Sequence, residues 1–302
     1  KKGGVLVGFR ERRNSFIAQI DRCIVLHPAV GSRLRELSDL IASLSIPDRI
    51  PQLEVAVGDD GRAAIVVRHL APLTDSDHAQ LEAFGDAHGI VMLVQPGGED
   101  SVTRVGAEGS LDVLSYRVDG DIEFRFRPTD FTQVNMAINR AMIDRVLALL
   151  EPTPQDRVLD LFCGLGNFSL PIARRARQVV GIEGEAGLVA RAKANATANG
   201  IANVWFEARD LAEPASYTTR FAQGFDKLVV DPPRSGAATL FEQADLRAIQ
   251  RIVYVSCNPA TLARDVDLAV SRHGFQLARA GVMDMFPHTA HVESVAVLDR
   301  RR

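Results

Sequence analysis

The chain has 302 residues, 46% of them hydrophobic and 24% charged, with a formal net charge of −3. That length suits a full catalytic domain and a smaller companion, and with neither an apolar run near the ~18 residues of a membrane span nor a secretory leader it points to a soluble cytoplasmic protein with no membrane contact and no implied protein partner. The mildly acidic balance argues against a surface coated with cations for bulk nucleic-acid binding, while a local basic groove stays open. Three cysteines, Cys23, Cys163 and Cys257, are too few and too scattered for a disulfide framework or a zinc site.

The first third reads as short strands and turns. Val5 to Arg10 and Phe16 to Ile20 flank Arg12-Arg13-Asn14-Ser15, and Glu54 to Val57 and Ala63 to Arg68 flank Gly58-Asp59-Asp60-Gly61, so two hairpins are expected. Helices follow at Arg33 to Ser43 and Asp77 to His88, then strands at Ile90 to Gln95, Leu111 to Val118 and Ile122 to Arg127. This is an α+β piece over 1–127.

From Pro128 onward apolar strands alternate with longer helical stretches, the pattern of a mostly parallel sheet covered by helices, giving a second domain over 128–302. The strands are expected at Arg157 to Leu161, Val179 to Ile182, Val204 to Phe206, Lys227 to Val230, Arg251 to Ser256, Gln276 to Val282 and Ser294 to Leu298, with helices such as Gly187 to Asn199 and Thr261 to His273 between them. The segment around Pro287-His288-Thr289-Ala290-His291 is too short for a helical crossover, so the last two strands should pair antiparallel. An α/β sheet of that kind is laid out as in class I methyltransferases rather than dehydrogenases.

Asp160-Leu161-Phe162-Cys163-Gly164-Leu165-Gly166-Asn167-Phe168 puts glycines directly after the first strand of that sheet, where the chain must turn sharply and a ligand approaches the backbone. The sixth place of a dinucleotide fingerprint is Ser169, so the phosphate pattern is incomplete. Glu183 ends the second strand, suited to ribose hydroxyls, and Asp210 follows the third, suited to an adenine amino group. Together they favour an adenosine ligand.

Asp231-Pro232-Pro233-Arg234 caps the fourth strand with a rigid loop poor in donors, fit for a planar base. Arg234 stands where adenine amino methyltransferases carry an aromatic residue, so an exocyclic amine is not the expected target. Cys257 ends the fifth strand, with Asn258 as helix cap and Pro259 at the first helical position. A thiol facing a helix N-terminus is expected to have a lowered pKa. Such a thiolate can add to C6 of a pyrimidine, which makes C5 nucleophilic toward a sulfonium methyl; the C5 proton must then go to a base, and Glu293 opens the last strand on the same edge. Cys163 is expected to be a small buried side chain.

With these motifs, and with Phe131-Thr132-Gln133-Val134-Asn135, Ser256-Cys257-Asn258-Pro259-Ala260-Thr261-Leu262-Ala263-Arg264-Asp265 and Phe286-Pro287-His288-Thr289, the chain closely resembles the RNA uracil-5 methyltransferases, over essentially all 302 residues and nearest to the branch acting on 23S rRNA. The resemblance implies S-adenosyl-L-methionine as methyl donor, Cys257 as nucleophile, Glu293 as base, and Gln133, Phe162, Asn167, Glu183, Asp210 and Asp231 around the donor, with Phe131 stacking on RNA. Asn135 reads equally as a helix cap. Members of this type also carry an RNA-binding barrel and a [4Fe-4S] cluster upstream; Cys23 matches the fourth ligand, so the chain looks like a truncated piece whose cluster is expected only in the full-length protein. The alternatives are the tRNA enzyme with the same catalytic set and a module that binds RNA and donor without turnover.

Overall fold

A computed structural model of the chain describes residues 4–301 except 12, 13, 15, 107, 108, 112 and 214–216. By internal contacts the chain forms two units, Lys1–Tyr116 with Arg125–Asp130, and Arg117–Phe124 with Phe131–Arg302. Among the described residues no helix is long and apolar enough to cross a membrane.

The first unit contains α1 (Pro28–Gly31), α2 (Leu34–Ser43), β1 (Gln52–Val57), β2 (Ala63–Arg68), α3 (Asp75–His88), β3 (Ile90–Gln95) and β4 (Thr103–Arg104), its strands in the order β1-β2-β3-β4. Leu34, Leu37, Leu40 and Ile41 recur at helical spacing and pack on Ile65, Val67 and Met92, each side chain contributing about 1.5–3 kcal/mol of burial. The hairpin of β1 and β2 forms as expected, from Gln52 opposite Arg68 to Val57 opposite Ala63. α3 starts before its expected Asp77, because Thr74 and Asp77 build a capping box and Asp77 also accepts from the amide and hydroxyl of Ser45.

The hairpin expected over Val5 to Ile20 is short: the Glu11 amide donates to the Phe16 carbonyl and the Ala18 amide to the Phe9 carbonyl, both at 2.9 Å. Arg10 and Ile17 form its one bridge among the described residues, while Arg12, Arg13 and Ser15 lie outside them. Val5, Val7 and Ile20 pack against the core, and the Val7 amide donates to the Ser38 hydroxyl of α2, so a helix takes the place of a partner strand. The strand expected from Leu111 begins at Leu114: β5 (Leu114–Val118) and β6 (Ile122–Phe126) form a two-stranded hairpin closed by Asp119-Gly120, both with positive φ.

The second unit runs α4 (Met136–Leu150), β7 (Arg157–Leu161), α5 (Ser169–Ala173), β8 (Gln178–Glu183), α6 (Ala186–Ala198), β9 (Val204–Ala208), α7 (Thr218–Phe221), β10 (Lys227–Val230), α8 (Ala238–Gln243), β11 (Arg251–Ser256), α9 (Pro259–His273), β12 (Phe275–Met283) and β13 (Glu293–Arg300). Its seven strands lie in the order β12-β13-β11-β10-β7-β8-β9. β7 to β11 pair parallel, and β13 inserts antiparallel between β11 and β12. β7, β10 and β11 are central and buried at every position after the first, as strands covered on both faces must be. The order reverses beside β7, which puts a crevice at the carboxyl edge.

Candidate active site

Strand register assembles the candidate residues along that edge. Leu161 pairs with Ile182 and with Val230, so Phe162, Glu183 and Asp231 follow one another at neighbouring strand ends. Ser256 pairs with Ser294 in the antiparallel ladder of β11 and β13, and one step outward sets Cys257 opposite Glu293.

The glycine loop is held from β8. The amides of Phe162 and Cys163 both donate to the Ile182 carbonyl, at 2.9 and 3.2 Å. Glu183 accepts from the Gly164 amide through Oε2 at 3.0 Å and from the Gly184 and Glu185 amides through Oε1 at 2.7 and 3.1 Å. The carboxylate expected at a ribose therefore also fixes the loop, and its roughly four lone-pair sites leave capacity for one more donor. Phe162 sits at φ +63°, in the left-handed region where non-glycine residues are rare. At Gly166, φ is +87° and a Cβ would lie 2.9 Å from Cζ of Phe206, so both conformation and space demand glycine.

Asp210 accepts from the Ala212 amide at 2.8 Å and so caps the turn after β9. Asn167 exchanges side-chain hydrogen bonds with Asn139, at 2.9 and 3.2 Å. Asn139 is fully buried in α4, at helical spacing from the buried Met142, Ile143 and Val146. Asn135 caps α4 by accepting from the Ile138 amide; Gln133 precedes it partly buried, and Phe131 is 73% exposed. Cys163 is buried against Gly181, where a Cβ would come within 2.8 Å of Sγ, and burial pushes its thiol well up.

The electrostatics centre on carboxylates whose pKa is raised by burial and, for Asp160 and Asp231, by neighbouring acids. Asp160 is buried; its Oδ2 accepts from the Ser169 hydroxyl at 2.5 Å while its Oδ1 has no partner among the described residues, and burial, with Glu183 adding to it, pushes its pKa up to about 7. Burial takes Glu293 up to about 7, and raises Asp231 well above the carboxylate range, Glu293 and Asp160 adding to the effect. Asp160 was legible as a carboxylate inside the apolar run Val158-Leu159-Asp160-Leu161, though not as a member of this cluster.

The expectation of a lowered Cys257 pKa is corrected. Asn258 and Pro259 do begin α9 as foreseen, but burial, then Glu293 and Asp231, push the thiol up, and Arg234 opposes them only in part. Burial of the thiol, with the two acids close to it, outweighs a helix end whose dipole acts through the first turn only.

Cys23 is part-buried and donates its amide to the Gly31 carbonyl. Among the described residues no group of three or more His, Cys, Asp and Glu could hold a metal, and an iron–sulfur cluster needs several thiolates. Cys23 alone does not fit a cluster. A cavity of about 360 Å³ lined by Phe162, Leu211, Tyr217, Pro233 and Ala237 opens beside the glycine loop. A larger one of about 820 Å³ is lined by Lys227, Gln250, Arg251 and Arg300, at the opposite edge of the sheet and away from every candidate residue.

Sheet order, glycine loop and strand-end acids together define a class I S-adenosylmethionine-dependent methyltransferase. The unpartnered Asp160 oxygen and the acids beside it suit a ligand carrying a sulfonium charge. The chain belongs to the tRNA (uracil-5-)-methyltransferase family, whose model matches residues 110–301.

It is similar to the 23S rRNA (uracil(1939)-C(5))-methyltransferase RlmD of Stenotrophomonas maltophilia, at 51% identity over all of this chain and 67% of that protein. The protein of the same name from Nitrosococcus oceani is 54% identical over 304 aligned residues, again all of this chain and 67% of the relative. Among solved structures, the Pyrococcus abyssi tRNA (uracil-54, C5)-methyltransferase in complex with S-adenosyl-L-homocysteine shares the fold at a TM-score of 0.70 and 24% identity, covering 98% of this chain and 74% of that one. The M. jannaschii tRNA m1G37 methyltransferase shares it at 0.55 and 12%, covering 85% and 77%.

Proposed function

We propose that the protein methylates C5 of a uridine in 23S rRNA through a covalent adduct at Cys257. The observation that carries this reading is the β11–β13 register, which sets a thiol and a buried acid opposite each other at the carboxyl edge of the parallel strands. Relatives at 51–54% identity bearing the 23S rRNA name support the choice of RNA.

When bound, S-adenosylmethionine supplies an electrophilic methyl group, and Gln133, Phe162, Asn167, Glu183, Asp210 and Asp231 would hold it. Cys257 adds to C6 as thiolate, and the electron pair of the C5–C6 bond moves to C5 and the O4 side of the ring. Once C5 carries the methyl group, Glu293 takes the C5 proton, the C5–C6 double bond re-forms and the thiolate leaves. The thiol enters the cycle protonated, so its activation belongs to the loaded complex; a carboxylate of pKa about 7 can both take and return a proton near neutrality. Phe131, exposed at the start of this unit, would stack on RNA.

The second reading is the tRNA substrate, which the description of the matching family model favours. Separate 23S and tRNA transcripts with labelled donor decide between them: 5-methyluridine in 23S RNA supports the proposal, and in tRNA alone it supports the rival.

A further inference from the structure

The run that carries Cys257 is also wired to the loop that carries Asp231 and Arg234. Pro232 and Pro233 themselves contribute no amide donors, so this part of the loop must be held through its carbonyls and through the residues that follow. The Gly236 amide donates to the Pro233 carbonyl at 2.8 Å and closes the turn. The Arg234 carbonyl then accepts from Nδ2 of Asn258 at 3.0 Å and the hydroxyl of Thr261 at 3.3 Å. Nη2 of Arg264 donates to the Ser235 carbonyl at 2.9 Å.

Asp265 lies fully buried behind this contact. Its Oδ2 accepts from the Ala237 amide at 2.7 Å and the Tyr254 hydroxyl at 2.6 Å, and its Oδ1 from Nε of Arg264 at 2.8 Å. Tyr254 belongs to β11, three residues before Cys257. Gly236, at φ +78°, has no room for a side chain, because a Cβ would lie 2.6 Å from both Nη2 of Arg264 and Oδ2 of Asp265.

We infer that Tyr254, Arg264 and Asp265 form a clamp that fixes the 231–237 loop against Cys257, and that they are positioning residues for the reaction. This rests on the methyl-transfer reading above. Asn258, Thr261, Arg264 and Asp265 recur three and four residues apart along the first turns of α9, so one helix face holds the loop while the residue just before the helix carries the thiol. A shift of the loop would move Asp231 and Arg234, which act on the thiol electrostatically, relative to Cys257. Misplacement of such groups by about 1 Å costs on the order of a hundredfold in rate.

The test uses the full-length protein with Arg264→Ala, Arg264→Lys and Asp265→Asn. The Arg264 side chain is 47% exposed, so its removal opens no cavity in the core, but it takes the partner of Oδ1 from the buried Asp265. The expected result for Arg264→Ala is a kcat lowered about tenfold or more with KM for RNA changed less than about twofold, a cooperative unfolding transition kept at a melting temperature lowered by a few degrees, and at least tenfold faster hydrogen exchange in peptides spanning 231–240. Arg264→Lys restores part of the rate. Asp265→Asn, whose amide cannot accept from Ala237 in every orientation, gives the larger exchange effect. Unchanged exchange in Arg264→Ala and Asp265→Asn would overturn the clamp, and faster exchange with unchanged kcat would overturn the positioning role. A wild type that methylates no RNA while its loop is protected from exchange would instead remove the methyl-transfer reading, and the positioning role with it.

Discussion

Cys257 and Glu293 stand opposite each other across an antiparallel ladder, each one step beyond the paired Ser256 and Ser294. Backbone hydrogen bonding thus sets their separation, and neither residue depends on a mobile loop for its approach. The step between β11 and β13 is also the place where the sheet changes direction, so the single antiparallel strand brings a base to an edge that parallel strands alone would reach only through a crossover.

Cys257→Ala should lower methylation by on the order of a thousandfold or more and remove any covalent protein–RNA species. Nucleoside analysis and denaturing gels check this, with cofactor affinity as control, since the thiol lines the reaction side of the site. Undiminished turnover would end the covalent mechanism.

Glu293→Gln should fail at a different step. The amide cannot accept the C5 proton, so addition and methylation proceed and the methylated adduct persists. A slow-migrating band carrying label from the methyl donor is the expected readout, and free 5-methyluridine at the wild-type rate would remove Glu293 from the base role.

Cofactor affinity should depend on pH according to ligand charge. Asp160 and Glu293 titrate at about 7 and Asp231 is also raised, so these acids hold protons in the empty site more strongly than free carboxylates do. A sulfonium favours their ionised forms, so its binding releases protons and strengthens as pH rises through about 7. Calorimetry between about pH 6 and about pH 8 should show S-adenosylmethionine binding tighten by roughly three- to tenfold, with a much flatter profile for neutral S-adenosylhomocysteine. Parallel profiles for the two ligands would contradict this assignment of charge.

Asp160 should cost the folded state stability at high pH. Its folded pKa of about 7 lies above the ordinary 3.8, so its favourable contribution is complete below about pH 4 and is lost as pH rises through about 7, a cost of about 4 kcal/mol. Asp160→Asn keeps an acceptor for Ser169 but leaves a buried N–H₂ without a partner, at roughly 1–3 kcal/mol. The net expectation is a gain of about 1–3 kcal/mol near pH 8 that disappears near pH 5. Urea unfolding at the two pH values measures it, and equal destabilisation at both would show that the carboxylate is not desolvated as described.

Much of this was legible in the sequence because one physical rule wrote each part. The seven strands of the second unit are apolar runs bounded by helical stretches, and the short link after β12 forced an antiparallel return to β13. Asn258-Pro259 announced α9 through cap chemistry. Local pattern gave less where tertiary context decides: Val5 to Ile20 has strand-like apolar residues, yet they pack on α2 and pair at one bridge only. The direction of the Cys257 pKa is not legible locally for the same reason, since its helix is adjacent in sequence while its burial and the acids Glu293 and Asp231 come from other strands. Asn139 and the Tyr254–Asp265 pair likewise become meaningful only once α4 and α9 are packed.

The most direct test of the account is incubation of the full-length protein with methyl-labelled S-adenosylmethionine and unmodified 23S or tRNA transcripts, followed by nucleoside analysis. The account predicts labelled 5-methyluridine in the 23S transcript, dependent on Cys257. Label in tRNA alone, or label unaffected by Cys257→Ala, would contradict it.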